Sequence, residues 1–259
     1  MQNRNISTAF MKGLDLLMAY RDGPAGMTLA ELSKRTGMDR ATVRRLCLTL
    51  TQAGFMVQVD RVFQLSPRVL TLGGSFLAAQ DIGHAVQPVL NAFSERVGGE
   101  ITLAVRDGDR ALYVANSSTV DARISFGLTV GSTLPLLSTA VGRMILASLP
   151  GSERSALLAE LPLDAFTEQT CLDRAVLARE IDSIAASGVS VVNGEYEAGI
   201  CGIAVPIGPP SQVRGVLGST LPLSLTDLAG KQAETIFQLQ QAATALSKTR
   251  SLVYALQSA

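Results

Sequence analysis

An α+β fold in two parts is predicted: a helical head ending in a hairpin, a linker helix, and a mainly antiparallel sheet flanked by helices. Three patterns carry this expectation. Residues 28–55 hold two short amphipathic segments divided by Gly37. Short alternating runs separated by turn residues recur at 55–65 and 101–116. Residues 173–187 repeat apolar side chains at helical spacing.

The head reads as follows. Residues 6–20 form a helix with Phe10, Leu14, Leu17 and Met18 at core spacing. Thr28 and Glu31 make a T-x-x-E capping box that satisfies free N–H groups at the next helix start. Leu29 and Leu32 give that helix its apolar side, and Gly37 ends it in a left-handed turn. Asp39 caps the following helix, whose stripe is Val43, Leu46 and Leu50. Arg40, Thr42, Arg44 and Arg45 fall away from that stripe or at its edge. A hairpin centred on Asp60-Arg61 follows. Helix, helix, helix and hairpin make a winged helix-turn-helix over residues 1–66, whose second motif helix lies in the major groove of DNA. Arg40, Thr42, Arg44 and Arg45 are then phosphate or guanine contacts, and Arg61 at the hairpin tip is a backbone or minor-groove contact. On this segment alone, the alternative is an arginine-rich solvated face.

Charge supports the DNA reading. The chain is neutral, with 22 Lys/Arg and 22 Asp/Glu. Residues 1–66 nevertheless hold nine basic and five acidic residues, a net of +4, leaving thirteen and seventeen, a net of −4, for the rest.

Residues 67–80 are expected as a linker helix, opened by Pro67 and weakened at Gly73-Gly74, and residues 81–259 as a second domain. In it, Pro88 kinks or restarts a helix that Gly98-Gly99 ends. Strands are expected at 101–106 and 111–116, around the Asp107–Arg110 turn, with a third at 124–126. Helices follow at 139–149, 152–161 and 173–187, the last with Val176, Leu177, Ile181, Ile184 and Ala185 inward and Gly188 at its end. Strands at 189–193, 200–207 and 213–220 and a helix at 225–251 complete the domain.

Composition bounds the chemistry. A 47% hydrophobic content is ample for a core, and no apolar run approaches a membrane span. The first thirty residues do not resemble a signal peptide. Cys47, Cys171 and Cys201 form no C-x-x-C pair, so neither a disulfide framework nor a zinc site is expected, and a cytoplasmic setting is. His84 is the sole histidine, a poor basis for acid–base catalysis, and Gly194, Gly199 and Gly202 are too dispersed for a phosphate cradle. No catalytic, metal or cofactor residues are therefore expected. Free N–H groups near Ser138 or Thr139, where a loop enters a helix, can receive a carboxylate. The plainer alternative there is a simple helix cap.

The stretches TLAELSKRTGMDRATVRRLCLTLTQAGF, LPLLSTAVGRMILA, SGVSVVNGEYEAGICGIAVPI and GVLGSTLP, in this order and spacing, resemble the IclR family of bacterial transcriptional regulators over essentially the whole chain. The resemblance implies a GAF-like C-terminal effector domain, a small organic or aromatic acid as effector, and homodimers that often pair into homotetramers on operator DNA. Carried over by motif, the effector pocket falls on Leu134, Ala140, Val141, Glu195, Gly199, Ile200, Gly218, Ser219 and Thr220. Two departures stand out. Gly202 occupies a position where the family usually has cysteine, with Cys201 one residue earlier and, by strand alternation, on the other face. An acidic residue common before the E-x-x-x-G segment is replaced by Val192-Asn193. Both make the pocket less like that of glyoxylate-responsive members. Arg123 is either a counter-ion for an anionic effector or a surface residue. A repressor is expected rather than an activator; an effector-less dimerisation scaffold and, less favoured, a small-acid enzyme are the rival readings.

Overall fold

The computed structural model describes residues 6–21, 23–79, 81–117, 128–213 and 215–249. The chain divides into two compact units, residues 1–76 and 77–259.

The first unit contains α1 (Thr8–Met18), β1 (Gly26–Thr28), α2 (Leu29–Thr36), α3 (Arg40–Gln52), β2 (Met56–Val59) and β3 (Val62–Leu65). The strands form an antiparallel sheet in the order β1-β3-β2. Local chemistry sets the helix ends. Thr28 Oγ1 accepts from the Glu31 N–H while Glu31 Oε2 accepts from the Thr28 N–H at 2.7 Å, a complete capping box. Gly37 ends α2 at φ 71°, and Asp39 caps α3 by accepting from the Thr42 N–H at 2.9 Å. The hairpin turns at Asp60, φ 54°.

Leu16, Tyr20, Met27, Leu32, Val43, Cys47, Met56 and Phe63 form this unit's core, and Tyr20 donates its hydroxyl to the Phe63 carbonyl at 2.8 Å. The core side of α1 is not the expected one. Phe10 is 67% exposed and Leu14 and Met18 also face solvent, whereas Leu16 is fully buried and Leu17 partly so. Residues 6–20 carry two apolar stripes, and spacing alone does not distinguish the buried one. The strand β1, only three residues long, gave no alternation to detect.

Helix α4 (Val69–Ala79) crosses the division between units and buries none of its residues; Leu70, Leu72 and Phe76 are exposed. A π-helical turn (Ile82–Val86) leads into α5 (Gln87–Val97), which has Pro88 in its first turn, where the missing N–H costs nothing, and Gly98 at its end at φ 70°.

The second unit's sheet comprises β4 (Ile101–Asp107), β5 (Arg110–Asn116), β6 (Thr133–Pro135), β7 (Ser190–Asn193), β8 (Ile200–Ile207) and β9 (Gly215–Pro222). All its pairs are antiparallel, in the order β6-β5-β4-β9-β8-β7. The helices are α6 (Ala140–Ala147), α7 (Gly151–Glu160), α8 (Arg174–Ser187) and α9 (Leu228–Ser247). The expected strand at 124–126 lies outside the described residues. The edge strand β6 lies in the segment expected as the loop that leads into the helix at 139–149. Ala185, expected inward on α8, is exposed, while Leu177, Ile181 and Ile184 are buried.

Strand alternation splits the core in two. Leu103, Ile203, Val205 and Leu217 pack with Leu90 of α5 and Leu239 and Leu246 of α9. Their neighbours Ala104, Ala204 and Val216 face Val141, Met144 and Ile145 of α6 and Leu177 and Ile181 of α8. The α6 side is built from small residues, so this helix lies very close to its surroundings. A Cβ on Gly142 would stand 2.5 Å from the Leu136 Cα and carbonyl oxygen, and one on Gly218 would stand 2.5 Å from Val141 Cγ1. Gly142→Ala should therefore destabilise the second unit by about 3 kcal/mol, because a backbone neighbour cannot swing aside. Gly73→Ala, in open space on α4, should add roughly 0.5–1 kcal/mol of helix stability. Urea denaturation followed by circular dichroism checks both; equal midpoints for the two variants would contradict the packing argument.

Candidate functional site

On the first unit, Arg40, Arg44 and Arg45 are exposed along α3, and Arg61 is exposed at the hairpin tip. No carboxylate lies within ion-pairing distance of any of them among the described residues. Thr42 differs from this expected set. It is half-buried, donates its hydroxyl to Asp39 Oδ2 at 2.7 Å, and accepts from Arg45 at 3.5 Å. It orients the start of α3 and Arg45 rather than projecting outward.

On the second unit, a cavity of about 90 Å³ lies between the sheet and the N-terminal end of α6. Its floor is sheet: Thr102 of β4, Tyr113 of β5, Ile200, Gly202 and Ile203 of β8, and Gly218, Ser219 and Thr220 of β9. Leu134, Ser138, Thr139, Ala140 and Val141 form the opposite wall, and Glu195, Tyr196 and Glu197 form one side. Of the residues carried over by resemblance, Leu134, Ala140, Val141, Glu195, Ile200, Gly202, Gly218, Ser219 and Thr220 line this cavity. Gly199 does not; at φ 81° it turns the chain into β8, and its carbonyl accepts from the Leu223 N–H. Arg123 lies outside the described residues. Cys201 faces away, fully buried against α9, where Gln232 Nε2 reaches its Sγ at 3.2 Å. Gly202 lines the cavity beside Ile200 and Ile203, and a Cβ there would stand 3.2 Å from the Ala140 Cβ.

The polar groups are few and specifically placed. Thr139 caps α6: its Oγ1 donates to the Pro135 carbonyl at 2.7 Å and accepts from the Gly142 N–H at 3.1 Å. Thr139 takes the Gly142 N–H through its hydroxyl and the Arg143 N–H through its carbonyl, so the N–H groups left at the open start of α6 are those of Ala140 and Val141. Ser138, 3% exposed, has a buried Oγ with no hydrogen-bond partner. A buried hydroxyl left unpaired is costly unless something binds it. Across the cavity, Glu100 accepts from Asn116 Nδ2 at 2.8 Å, and Ser219 donates to the Glu100 carbonyl at 2.8 Å. Burial pushes the Tyr113 hydroxyl up to about 12, opposed by a hydrogen bond with Thr102 and reinforced by the charges of Glu100 and Tyr196.

Glu195 is less free than its place in the wall suggests. Its Oε2 accepts from Arg143 at 2.6 Å and from the Cys171 N–H at 2.8 Å. Arg143, only 2% exposed, also donates to the Leu137 carbonyl at 2.7 Å and to Glu180 at 2.9 Å. One guanidinium thus holds the 134–139 segment, α8 and the 195–197 wall together. Thr167 and Thr170 reinforce that wall by donating to the Gly194 and Glu195 carbonyls, each at 2.6 Å. Sequence reasoning gave Arg143 no role and missed Thr102, Tyr113 and Glu100. A threonine among Ile101, Leu103 and Ala104 was the signal available for Thr102.

Because a fold does not by itself assign a function, the class of this helix-turn-helix unit and cavity-bearing sheet unit is given by its relatives. Two family models cover most of the chain. The IclR helix-turn-helix domain model matches residues 9–60, and the bacterial transcriptional regulator IclR C-terminal model matches residues 74–248. The chain belongs to the IclR family. It is 36% identical to the Pca regulon regulatory protein of Pseudomonas putida over 200 residues, 77% of this chain and 69% of that one. It is 26% identical to the p-hydroxybenzoate hydroxylase transcriptional activator of Acinetobacter baylyi over 76% of this chain and 74% of that one. A solved ICLR transcriptional regulator from Silicibacter sp. TM1040 superposes with a TM-score of 0.81 at 31% identity, covering 93% of this chain and 95% of that one. An IclR homologue from Microbacterium hydrocarbonoxydans, solved in complex with 4-hydroxybenzoate, shares the fold with a TM-score of 0.76 at 23% identity, covering 93% and 98%. No helix among the described residues is long and apolar enough to cross a membrane.

Two outcomes follow from this geometry. Arg143→Met strands the nearly buried Glu195 and should cost about 3–5 kcal/mol, whereas Glu180→Gln, at a side chain 46% exposed, should cost less than about 1 kcal/mol; chemical denaturation separates them. Tyr113 has a folded value of about 12 against an ordinary 10, so its contribution is complete below pH 10 and is lost as pH rises from 10 to 12. Tyr113→Phe should therefore flatten the fall of melting temperature across that window; an unchanged slope would contradict burial as the cause.

Proposed function

We propose that this regulator holds operator DNA through α3 and the hairpin, and that a small organic or aromatic acid in the cavity modulates that binding. The buried, unpaired Ser138 hydroxyl beside the open start of α6 carries the reading. Helix N–H groups and a hydroxyl together donate to a carboxylate, favoured by the helix dipole. The remaining wall is largely apolar, as suits a ring or hydrocarbon body. Relatives support the ligand class: one is a p-hydroxybenzoate hydroxylase activator and another binds 4-hydroxybenzoate. In this reading Leu134, Ala140, Val141, Ile200, Gly202, Gly218, Ser219 and Thr220 shape the site, and Glu195 acts through its ion pair with Arg143.

The working form is a homodimer in the cytoplasm. The outward Phe10, Leu14 and Met18 of α1 and Leu70 and Phe76 of α4 supply apolar surface for a second copy. Two copies place two recognition helices on half-sites related by two-fold symmetry. Effector binding then shifts the population between arrangements of those helices, which requires different effector affinity in each. We favour repression over activation; a reporter fused to the controlled promoter reads the sign.

The test is a melting screen of the full chain with benzoate, 3- and 4-hydroxybenzoate and aliphatic mono- and dicarboxylates, repeated as DNA titrations on the promoter of the chain's own gene. A compound at a hundred times its Kd should stabilise by about 2.7 kcal/mol, seen as a rise of several degrees, and should change DNA affinity. Ser138→Ala should weaken that compound about tenfold, the loss of one hydrogen bond to a charged group. The proposal fails if no compound moves either melting or DNA affinity.

A further inference from the structure

The outward face of α3 is not purely cationic. Val43, Cys47 and Leu50 mark its inward side at the helical interval. Directly opposite stand Ala41 and Leu48, seven residues apart and hence two turns along one line. Both are exposed, Leu48 to 42%. Arg44 and Arg45 lie three and four residues from each, one on either side of that line. The neighbouring hydroxyls are occupied within the helix: Thr42 donates to Asp39, and Thr49 donates to the Arg45 carbonyl at 2.9 Å. The centre of the face therefore presents aliphatic carbon flanked by two arginines that lack ion-pair partners among the described residues.

A leucine there has no core to join. In the major groove, the one apolar group on a base edge is the thymine 5-methyl, whereas arginine pairs with guanine O6 and N7. We infer that Leu48, supported by Ala41, reads a thymine methyl in each operator half-site, between bases or phosphates held by Arg44 and Arg45. This rests on the reading of α3 as the groove helix.

The experiment separates the two levels. Full-length protein is used to select sites from a random duplex library, at fixed salt because affinity depends on it. Each thymine of the enriched site is then replaced singly by deoxyuridine, which deletes only the 5-methyl. One position per half-site should weaken binding about 4-fold, the value of burying one methyl-sized group. Leu48→Ala, on an exposed site and with unchanged melting temperature, should lose a similar factor on thymine DNA and show no further loss on the uracil DNA, the signature of a coupled pair. Enrichment without any uracil-sensitive position, or a uracil penalty that persists undiminished in Leu48→Ala, overturns the inference while leaving DNA binding by α3 intact. A Leu48→Ala variant that changes oligomeric state but not the uracil penalty overturns it too, by assigning the leucine to a second copy. Absence of any enriched sequence overturns the DNA-binding reading itself.

Discussion

The second unit depends on how closely α6 lies against its neighbours. All eight of its residues are buried, and it touches the sheet floor at one end and the chain segment 134–139 along one side. Three glycines make this possible, one on the helix and two on the strands beneath, since a Cβ on any of Gly142, Gly202 or Gly218 would stand 3.2 Å or less from its neighbour. Packing of this density transmits small displacements instead of absorbing them. A helix that cannot shift without moving its surroundings is a suitable wall for a site meant to register occupancy.

Arg143 adds a polar constraint to this apolar one. A buried guanidinium is tolerated only where its donors are satisfied, and here they meet a carbonyl and two carboxylates. The result links α6, α8 and the 195–197 wall, three pieces far apart in sequence. The charge of the wall is also altered, because Glu195, which lines the cavity, is ion-paired with Arg143. An anionic ligand therefore meets less repulsion than the three lining glutamates alone would suggest.

Much of the fold was legible in the sequence because it is governed locally. The capping box at Thr28 and Glu31, the left-handed ends at Gly37, Gly98 and Gly188, and the alternation of β8 each follow from adjacent residues. The misread features are decided by tertiary context. Nothing local distinguishes Leu16 from Leu14 as the buried side of α1. An arginine on a helix ordinarily signals solvent, so the burial of Arg143 was invisible until Glu180 and Glu195 were brought to it from 37 and 52 residues away. Three-residue strands such as β1 and β6 are too short for alternation to register. The cavity was legible by family motif for its α6 and β9 walls, but not for Glu100 and Tyr113, which reach it only because the strand order sets β4 and β5 beside β9 and β6.

Gly202 stands where the family resemblance leads to the expectation of a cysteine, and it bears on the shape of the cavity. A Cβ at this position would already press on the Ala140 Cβ, at 3.2 Å, so glycine is what lets β8 and the first residue of α6 lie this close. The thiol, one residue earlier, is buried on the opposite face with its pKa raised by desolvation, and takes no part in the site. Under the function proposed above, selectivity rests on the shape of the cavity and on the start of α6, and that shape suits a ring or a longer chain better than a two-carbon acid.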